Sequence, residues 1–582
     1  MKFHPALAAR CGLLILAVFL GACAGVGTGS RAADRAEAAF AAGDFAQAAR
    51  EYLEAASRSR GAEADAFNLR ATESYRQLAD YAAVRQVSNG ILHGNLRPGE
   101  QLRLDLLLAE LAVVEGEHER ALDLLTVPAD RVPDRLRPRF HDLRARSLVE
   151  LGQPLAAARE RGEQMRFADA EDQEALQAQV RRLLDSVEVR ELYRERVAMA
   201  ADDPLRGAAD ASLRARGVTP PRMLAGGRDP MAPREPPPTD ADGRALYGKV
   251  ALLVPLTGQI AAAGQAVRDG FMSAYFAGAA PRPEVEVIDS GSTPETAVAA
   301  YRRALEGGAE RVVGPLSREA VSALFREPML PVPLLALNHA DGAVPPEGSV
   351  QFGLLPDEEA LAAADRMLRL GLVRAVVVRT DEDWSSRAAL AFRSQYEAAG
   401  GEVLREVPIN ARDFDLGRPA AAVADAGADA VFLAIGAQPA RLLVPQLRAN
   451  GVGGTWLAMS RVYGGSPMPA LDRDLDGLEF SDAPWVVGTA SGVPSRVELA
   501  PALRGLQGPA LRLFAFGMDA YRLLGYVDWL SGRPYSFVNG ATGELSVDES
   551  RQVRRQLAWA RFRGGVPEPV EGALSFGDPL QP

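Results

Sequence analysis

The 582-residue chain has two cysteines, Cys11 and Cys23, and none beyond them. That absence excludes a disulfide framework, a cysteine-built zinc or iron–sulfur site and a cysteine nucleophile from the body of the protein. Histidine is almost as scarce. After the first residues there are only His93, His118, His141 and His339, and no HExxH pattern. Lysine is limited to Lys2 and Lys249 among 65 basic residues, so neither a GxxxxGK[ST] phosphate loop nor an SxxK acylation motif can be written. A net charge of −11 argues against a protein that must neutralise a nucleic-acid backbone. What is present is an ordinary globular composition, 47% hydrophobic, with length for about three or four domains.

Residues 1-22 read as a secretory signal: Lys2 and Arg10 precede the apolar core Cys11 to Leu20. A spanning helix needs about 20 apolar residues and a signal core about 7–15, and this run fits the second. It ends in Leu20-Gly21-Ala22-Cys23, which resembles a bacterial lipobox. Cleavage there makes Cys23 the mature N-terminus and the site of lipidation. Each buried CH₂ contributes about 0.8 kcal/mol, so several acyl chains give a stable membrane anchor. Ala24, in place of Asp, implies by resemblance to enterobacterial sorting the periplasmic side of the outer membrane. Residues 23-30 are small and form a tether.

From 31 to 216 glycine is rare, and Ala, Leu and Arg recur at helical spacing. Phe40, Gly43, Asp44, Phe45, Ala48, Tyr52 and Ala55 follow the order of a tetratricopeptide-type hairpin, with Gly43-Asp44 as the turn and Ala48 small enough for the helices to approach. Equivalent turns at Ala79, Gly116 and Gly152 recur roughly every 36 residues, near the 34 of tetratricopeptide repeats, and Val84, Ala121 and Ala157 take the place of Ala48. Such an array is a scaffold. His93, His118 and His141 fall in it without an i, i+3 or i, i+4 partner, so they read as packing or surface residues. Prolines and glycines then gather over 217-246, which predicts a semi-rigid linker.

From Lys249 short apolar runs alternate with helices. Strands are expected at 250-254, 285-288, 311-313, 375-378, 403-407 and 430-435, with helices between them, which is βαβ repetition and a parallel sheet covered on both faces. Val250-Ala-Leu-Leu-Val-Pro-Leu-Thr-Gly258, with Gly264, Gly270 and Phe271, is similar to the opening of type I periplasmic binding proteins, as is Val313-Gly-Pro-Leu316. Further segments resemble the penicillin-binding protein activator LpoA family. They are Pro333 to Asn338, Gln351 to Gly353, Trp384 with Arg387, Ala440 to Pro445, Ser460 to Val462 and Leu475 to Trp485. Phe516-Gly-Met-Asp-Ala-Tyr521 and Asn539-Gly-Ala-Thr-Gly-Glu-Leu545 complete the set. The resemblance covers nearly the whole chain and departs from the family at Ser385, where Gly is expected after Trp384.

The expected architecture is therefore a multidomain chain: a TPR-like all-α domain over 31-216 and a bilobed α/β domain of type I periplasmic-binding-protein kind over 247-582. In such a fold, ligands sit at the carboxyl ends of strands, which makes Thr257, Gly258 and Ser317 candidate cleft contacts. Ser317 also reads as a helix cap. Asp472, Asp474, Asp476 and Gly477 spell the start of a calcium loop, but its twelfth position is Ala483 instead of Glu, so no metal is assigned. His339 and Asp341 suggest a base and its orienter, yet no GxSxG elbow accompanies them and no catalytic residue or cofactor is expected. The resemblance implies an anchored, non-enzymatic regulator that binds a class A penicillin-binding protein, the bifunctional peptidoglycan synthase. Two other readings stand beside it: a lipid-anchored receptor for an amino acid or amide, and an enzyme of wall metabolism.

Overall fold

The protein is described here by a computed structural model that covers residues 28–200, 203–220, 246–278, 281–490, 492–503, 505–533 and 536–570. Its contacts divide the chain into two compact units, 1–187 and 188–582. No helix among the described residues is long and apolar enough to cross a membrane.

The first unit is a stack of helical hairpins: α1 (Thr28–Ala41) with α2 (Phe45–Arg58), α3 (Ala62–Gln77) with α4 (Tyr81–Ser88), α5 (Pro98–Glu115) with α6 (His118–Leu124), and α7 (Arg137–Glu150) with α8 (Pro154–Met165). Then α9 (Ala170–Ser186) closes it. The four turn residues singled out by the repeat all have left-handed backbone: Gly43 at φ 81°, Ala79 at 55°, Gly116 at 79° and Gly152 at 69°. After each, one amide reaches back five residues, Asp44 to Ala39, Asp80 to Tyr75, Glu117 to Ala112 and Gln153 to Leu148, satisfying a carbonyl at the helix end. The small residues of the second helices, Ala48, Val84, Ala121 and Ala157, are all buried. Neighbouring hairpins share ion pairs between their first helices. Arg70 reaches Glu37 (2.8 Å), Arg103 reaches Glu73 (2.6 Å from Nε) and Arg139 reaches Glu110 (2.8 Å from Nε). Each rung contributes at most about 1 kcal/mol, so the ladder sets register more than stability.

The second unit begins with α10 (Val189–Ala198) and α11 (Arg206–Ala215). Lobe one follows, with β1 (Lys249–Val254), α12 (Ala261–Ala277), β2 (Glu284–Asp289), α13 (Pro294–Glu306), β3 (Arg311–Val313), α14 (Arg318–Phe325), β4 (Leu334–Ala336) and β5 (Val350–Gln351). Its sheet is parallel throughout, in the order β2-β1-β3-β4-β5. After its first residue β1 is buried, as a central strand covered on both faces must be.

Lobe two comprises α15 (Pro356–Arg369), β6 (Arg374–Arg379), α16 (Asp383–Ala398), β7 (Glu402–Pro408), α17 (Gly417–Ala426), β8 (Ala430–Ala434), α18 (Ala437–Ala449), β9 (Thr455–Ala458), α19 (Pro469–Asp472), β10 (Glu479–Asp482) and α20 (Pro484–Val487). The chain then returns to lobe one as α21 (Pro509–Leu523) and α22 (Val527–Ser531). It makes a small antiparallel sheet of β11 (Val538–Asn539), β12 (Glu544–Val547) and β13 (Val553–Gln556), and ends in lobe two with β14 (Ala558–Arg563) and β15 (Val566–Pro569). The seven-stranded sheet runs β15-β14-β10-β9-β8-β6-β7, with β14 antiparallel to both its neighbours, β10 and β15.

The expected strands of the α/β domain lie within one residue of those observed at either end, and helices stand between them. The placement of α10 and α11 differs from the sequence expectation, which ran the helical region to 216. A buried Arg196–Asp210 ion pair joins them, Tyr193 donates to Asp365 on α15, and Thr219 exchanges two 2.8 Å hydrogen bonds with Gln395 on α16. By contacts they belong with the α/β domain.

The turn set generates a test. Ala79 alone of the four is not glycine and carries the steric cost of a Cβ at positive φ, about 1 kcal/mol. Ala79→Gly is expected to raise the stability of the helical unit by that amount, read as a higher denaturant midpoint by circular dichroism. Gly116→Ala should lower it by a similar amount.

Candidate functional site

The carboxyl ends of the strands are where an α/β fold offers free amides, and in both lobes those amides are met by carboxylates of the chain itself. In lobe one, Asp289 at the end of β2 accepts from the amides of Leu256 (2.8 Å) and Gly291 (2.9 Å) and from the Thr257 hydroxyl (2.8 Å). Burial opposes ionisation there, but the two amides and the hydroxyl win and hold the Asp289 carboxyl below its usual range. Ser292 donates to the Thr257 carbonyl at 3.1 Å. Gly258 follows at φ 83°, and a Cβ on it would lie 1.9 Å from the Ser292 hydroxyl. Thr257 and Gly258 therefore build a closed turn. Ser317 caps α14, its hydroxyl accepting from the Ala320 amide at 3.2 Å.

Lobe two repeats the pattern. Glu359 on α15 accepts from the Ser460 amide (2.9 Å) and hydroxyl (3.0 Å) after β9, and its burial raises the carboxyl pKa. Asp482, at the end of β10, accepts from the Ala483 amide (2.7 Å) and from Arg512 Nε (2.8 Å). Burial pushes its carboxyl up too, against the pull of that guanidinium. Arg512 also donates to the carbonyls of Ser460 (2.7 Å) and Tyr463 (3.0 Å). Ser385, the departure from the family pattern, is fully buried. Its hydroxyl accepts from the Thr380 amide (2.9 Å) and donates to the Ala434 carbonyl (2.5 Å), tying the ends of β6 and β8.

The two family-like segments near the C-terminus meet at one side chain. Asp519 on α21 accepts from the amides of Ala541 (2.6 Å) and Thr542 (2.7 Å) and from the Thr542 hydroxyl (2.6 Å). Helix α21 serves both lobes. Leu511, Phe514, Ala515 and Met518 pack in the lobe-two core, whereas Phe516, Ala520 and Leu523 pack in that of lobe one. It crosses α12 backbone to backbone: a Cβ on Gly270 would meet the Phe514 carbonyl at 1.9 Å, and one on Gly517 the Val267 carbonyl at 2.0 Å.

The other singled-out residues are dispersed. Asp472 is buried in an ion pair with Arg441 (2.6 Å), and Asp476 accepts from the amides of Gly564 (3.0 Å) and Gly565 (2.8 Å), so this acidic run closes turns. Asp341 pairs with Arg318 at 3.0 Å, while burial lowers the His339 pKa below its ordinary value. His141 bonds to Glu160 (2.8 Å) and His93 to Asp105 (3.1 Å). Cys23 lies outside the described residues. Sequence reasoning missed Asp289, Glu359 and Asp519 as keystones; the only advance signal was that Asp519 stands inside a segment already singled out.

Comparisons with known proteins agree with this architecture. A family model described as LppC putative lipoprotein matches residues 244–565. A protein of Photobacterium profundum named "Penicillin-binding protein activator LpoA" is 26% identical over 561 residues, covering 88% of this chain and 90% of that one. A Pasteurella multocida protein of the same name is 25% identical over 336 residues, where the match spans about half of each chain, 56% and 57%. The crystal structure of full-length LpoA from Haemophilus influenzae shares the fold, at TM-score 0.53 and 19% identity, covering 90% of this chain and 97% of that one.

Burial pushes the Asp519 carboxyl up to about 6, against the hydrogen bonds from Thr542 and Ala541. An unfolded Asp titrates near 3.9, so the folded state holds this proton more tightly. The group's contribution is full below about pH 4 and is lost as pH rises through about 6. Asp519→Asn fixes the uncharged state. The stability of the wild type relative to this variant is expected to fall by on the order of 2 kcal/mol between pH 4 and 7, measured by urea unfolding. A difference that stays flat with pH would contradict the assignment.

Proposed function

Because the chain belongs to the LppC putative lipoprotein family, we propose that it is an outer-membrane lipoprotein, held on the periplasmic side through Cys23, that binds and activates a class A penicillin-binding protein. The observation that carries this reading is the match, along nearly the whole chain and through both units, to a protein named as a penicillin-binding protein activator. The geometry supports contact over chemistry. At the strand ends where a receptor would present amides to a ligand, Asp289, Glu359 and Asp482 already accept from them. A free ligand carboxylate would have to displace an internal one that costs no binding entropy. The protein then acts on its enzyme by preferring an active conformation of it, and a tenfold shift in that equilibrium requires only about 1.4 kcal/mol of differential affinity.

Two measurements test this. Purified mature protein should capture a class A penicillin-binding protein and raise its rate of glycan polymerisation or cross-linking; no capture and no change in rate would remove the proposal. In cells, Cys23→Ser should remove the protein from the outer-membrane fraction, since the acyl chains supply the anchor there.

A further inference from the structure

The exposed aromatic residues of the α/β unit are of two kinds. Phe414 is 83% exposed on the loop after β7 and has no ring partner among the described residues. Phe276, 65% exposed at the end of α12, is the outer member of a chain of rings. It meets Tyr275 edge-on with centroids 5.1 Å apart. Tyr275 meets Tyr521 of α21 at 5.7 Å, and Tyr521 meets Phe271 at 5.3 Å, where the chain enters the core of lobe one. Arg282, exposed just before β2, lies over the Tyr275 ring with its guanidinium carbon 5.5 Å from the centroid. Among the described residues Arg282 forms no ion pair.

Aromatic side chains and arginine dominate the energetic centres of protein interfaces. They do so most effectively when their rotamers are fixed beforehand, because less side-chain entropy is lost on binding. This cluster meets both conditions: its rings brace one another down to a fully buried phenylalanine, which a lone exposed Phe414 cannot do. We infer that the Phe276–Tyr275–Arg282 surface is where the protein docks on its synthase, an inference that rests on the proposed function. The partner presents an apolar pocket with carboxylates on its rim, the complement of an exposed ring beside an unpaired cation. A lipid surface would be matched by a cluster of basic residues, and here there is one. A second copy would bring together two chains that each carry −11.

The test uses the full mature chain and purified class A penicillin-binding protein in a surface-immobilised binding assay. Phe276→Ala should weaken binding at least tenfold, and Arg282→Glu comparably, while Phe414→Ala leaves it unchanged. All three positions are exposed, so thermal melts should match the wild type. With Arg282→Glu, the salt dependence of the association rate should shrink. Wild-type binding that survives both Phe276→Ala and Arg282→Glu would overturn the surface and leave the activator role standing. Absence of wild-type binding would remove the activator role and this surface with it. Sedimentation showing a dimer that Phe276→Ala dissociates, with synthase binding intact, would assign the patch to a second copy and overturn the inference.

Discussion

A buried carboxylate is tolerated only where N–H and O–H donors surround it, because an unsatisfied buried charge costs several kcal/mol. Asp519 is held in that way by two amides and a hydroxyl of the Ala541-Thr542 turn, and the α/β unit depends on it. The bond fixes α21 against the segment through which the chain passes from lobe one back to lobe two. Because α21 contributes apolar side chains to the cores of both lobes, its position couples them. The glycines at its crossing with α12 let the two helices touch through their backbones, and any side chain at either position would force them apart.

The same device recurs at smaller scale. Asp289, Glu359 and Asp482 each occupy amides at the carboxyl end of a strand, the place where this class of fold usually presents them to a ligand. An internal carboxylate is tethered, so its hydrogen bonds are formed without loss of translational freedom, and a ligand competing for those donors starts at a disadvantage of several kcal/mol. Internal carboxylates thereby brace the strand ends in both lobes. The candidates Thr257, Gly258 and Ser317 become intelligible in this light: they serve the closing turn and the helix cap.

Much of this was legible in the sequence wherever a local rule decides local structure. Left-handed turns demand Gly or a tolerated small residue, so the positions 43, 79, 116 and 152 announced four hairpins even where the helices themselves had lost their pattern. Continuous apolar runs announced buried parallel strands to within a few residues. What was hidden depends on partners distant in sequence. Nothing in α10 and α11 distinguishes them from the preceding helices; partners far along the chain, among them Asp365 for Tyr193, Glu549 for Arg214 and Gln395 for the Thr219 backbone that follows, tie them to the α/β unit. Ser385 read as a departure from a family pattern and proved to join two strand ends. Its hydroxyl supplies both a donor and an acceptor, which a glycine cannot. The acidic run from Asp472 to Asp476 looked like half of a cation site because sequence shows charge and conceals the arginine and amides that neutralise it.

The scarcity of reactive side chains and the surplus of internal bracing bear on one another. A protein that acts by touching an enzyme must lose as little freedom as possible in doing so, since any loop or lobe that orders on contact subtracts from the differential affinity that drives activation. Fixing α21 to the Ala541-Thr542 turn fixes Tyr521, and Tyr521 in turn supports the ring of Tyr275 that carries Phe276 and Arg282. The buried carboxylate and the tyrosine that supports the exposed aromatic cluster therefore stand two residues apart on a single helix. The proton that Asp519 binds near pH 6 lies only a few ångströms along α21 from the surface it supports, since two residues of helix rise about 3 Å. Rigidity at the inferred docking surface leaves more of the contact energy for the differential affinity that shifts a partner's equilibrium.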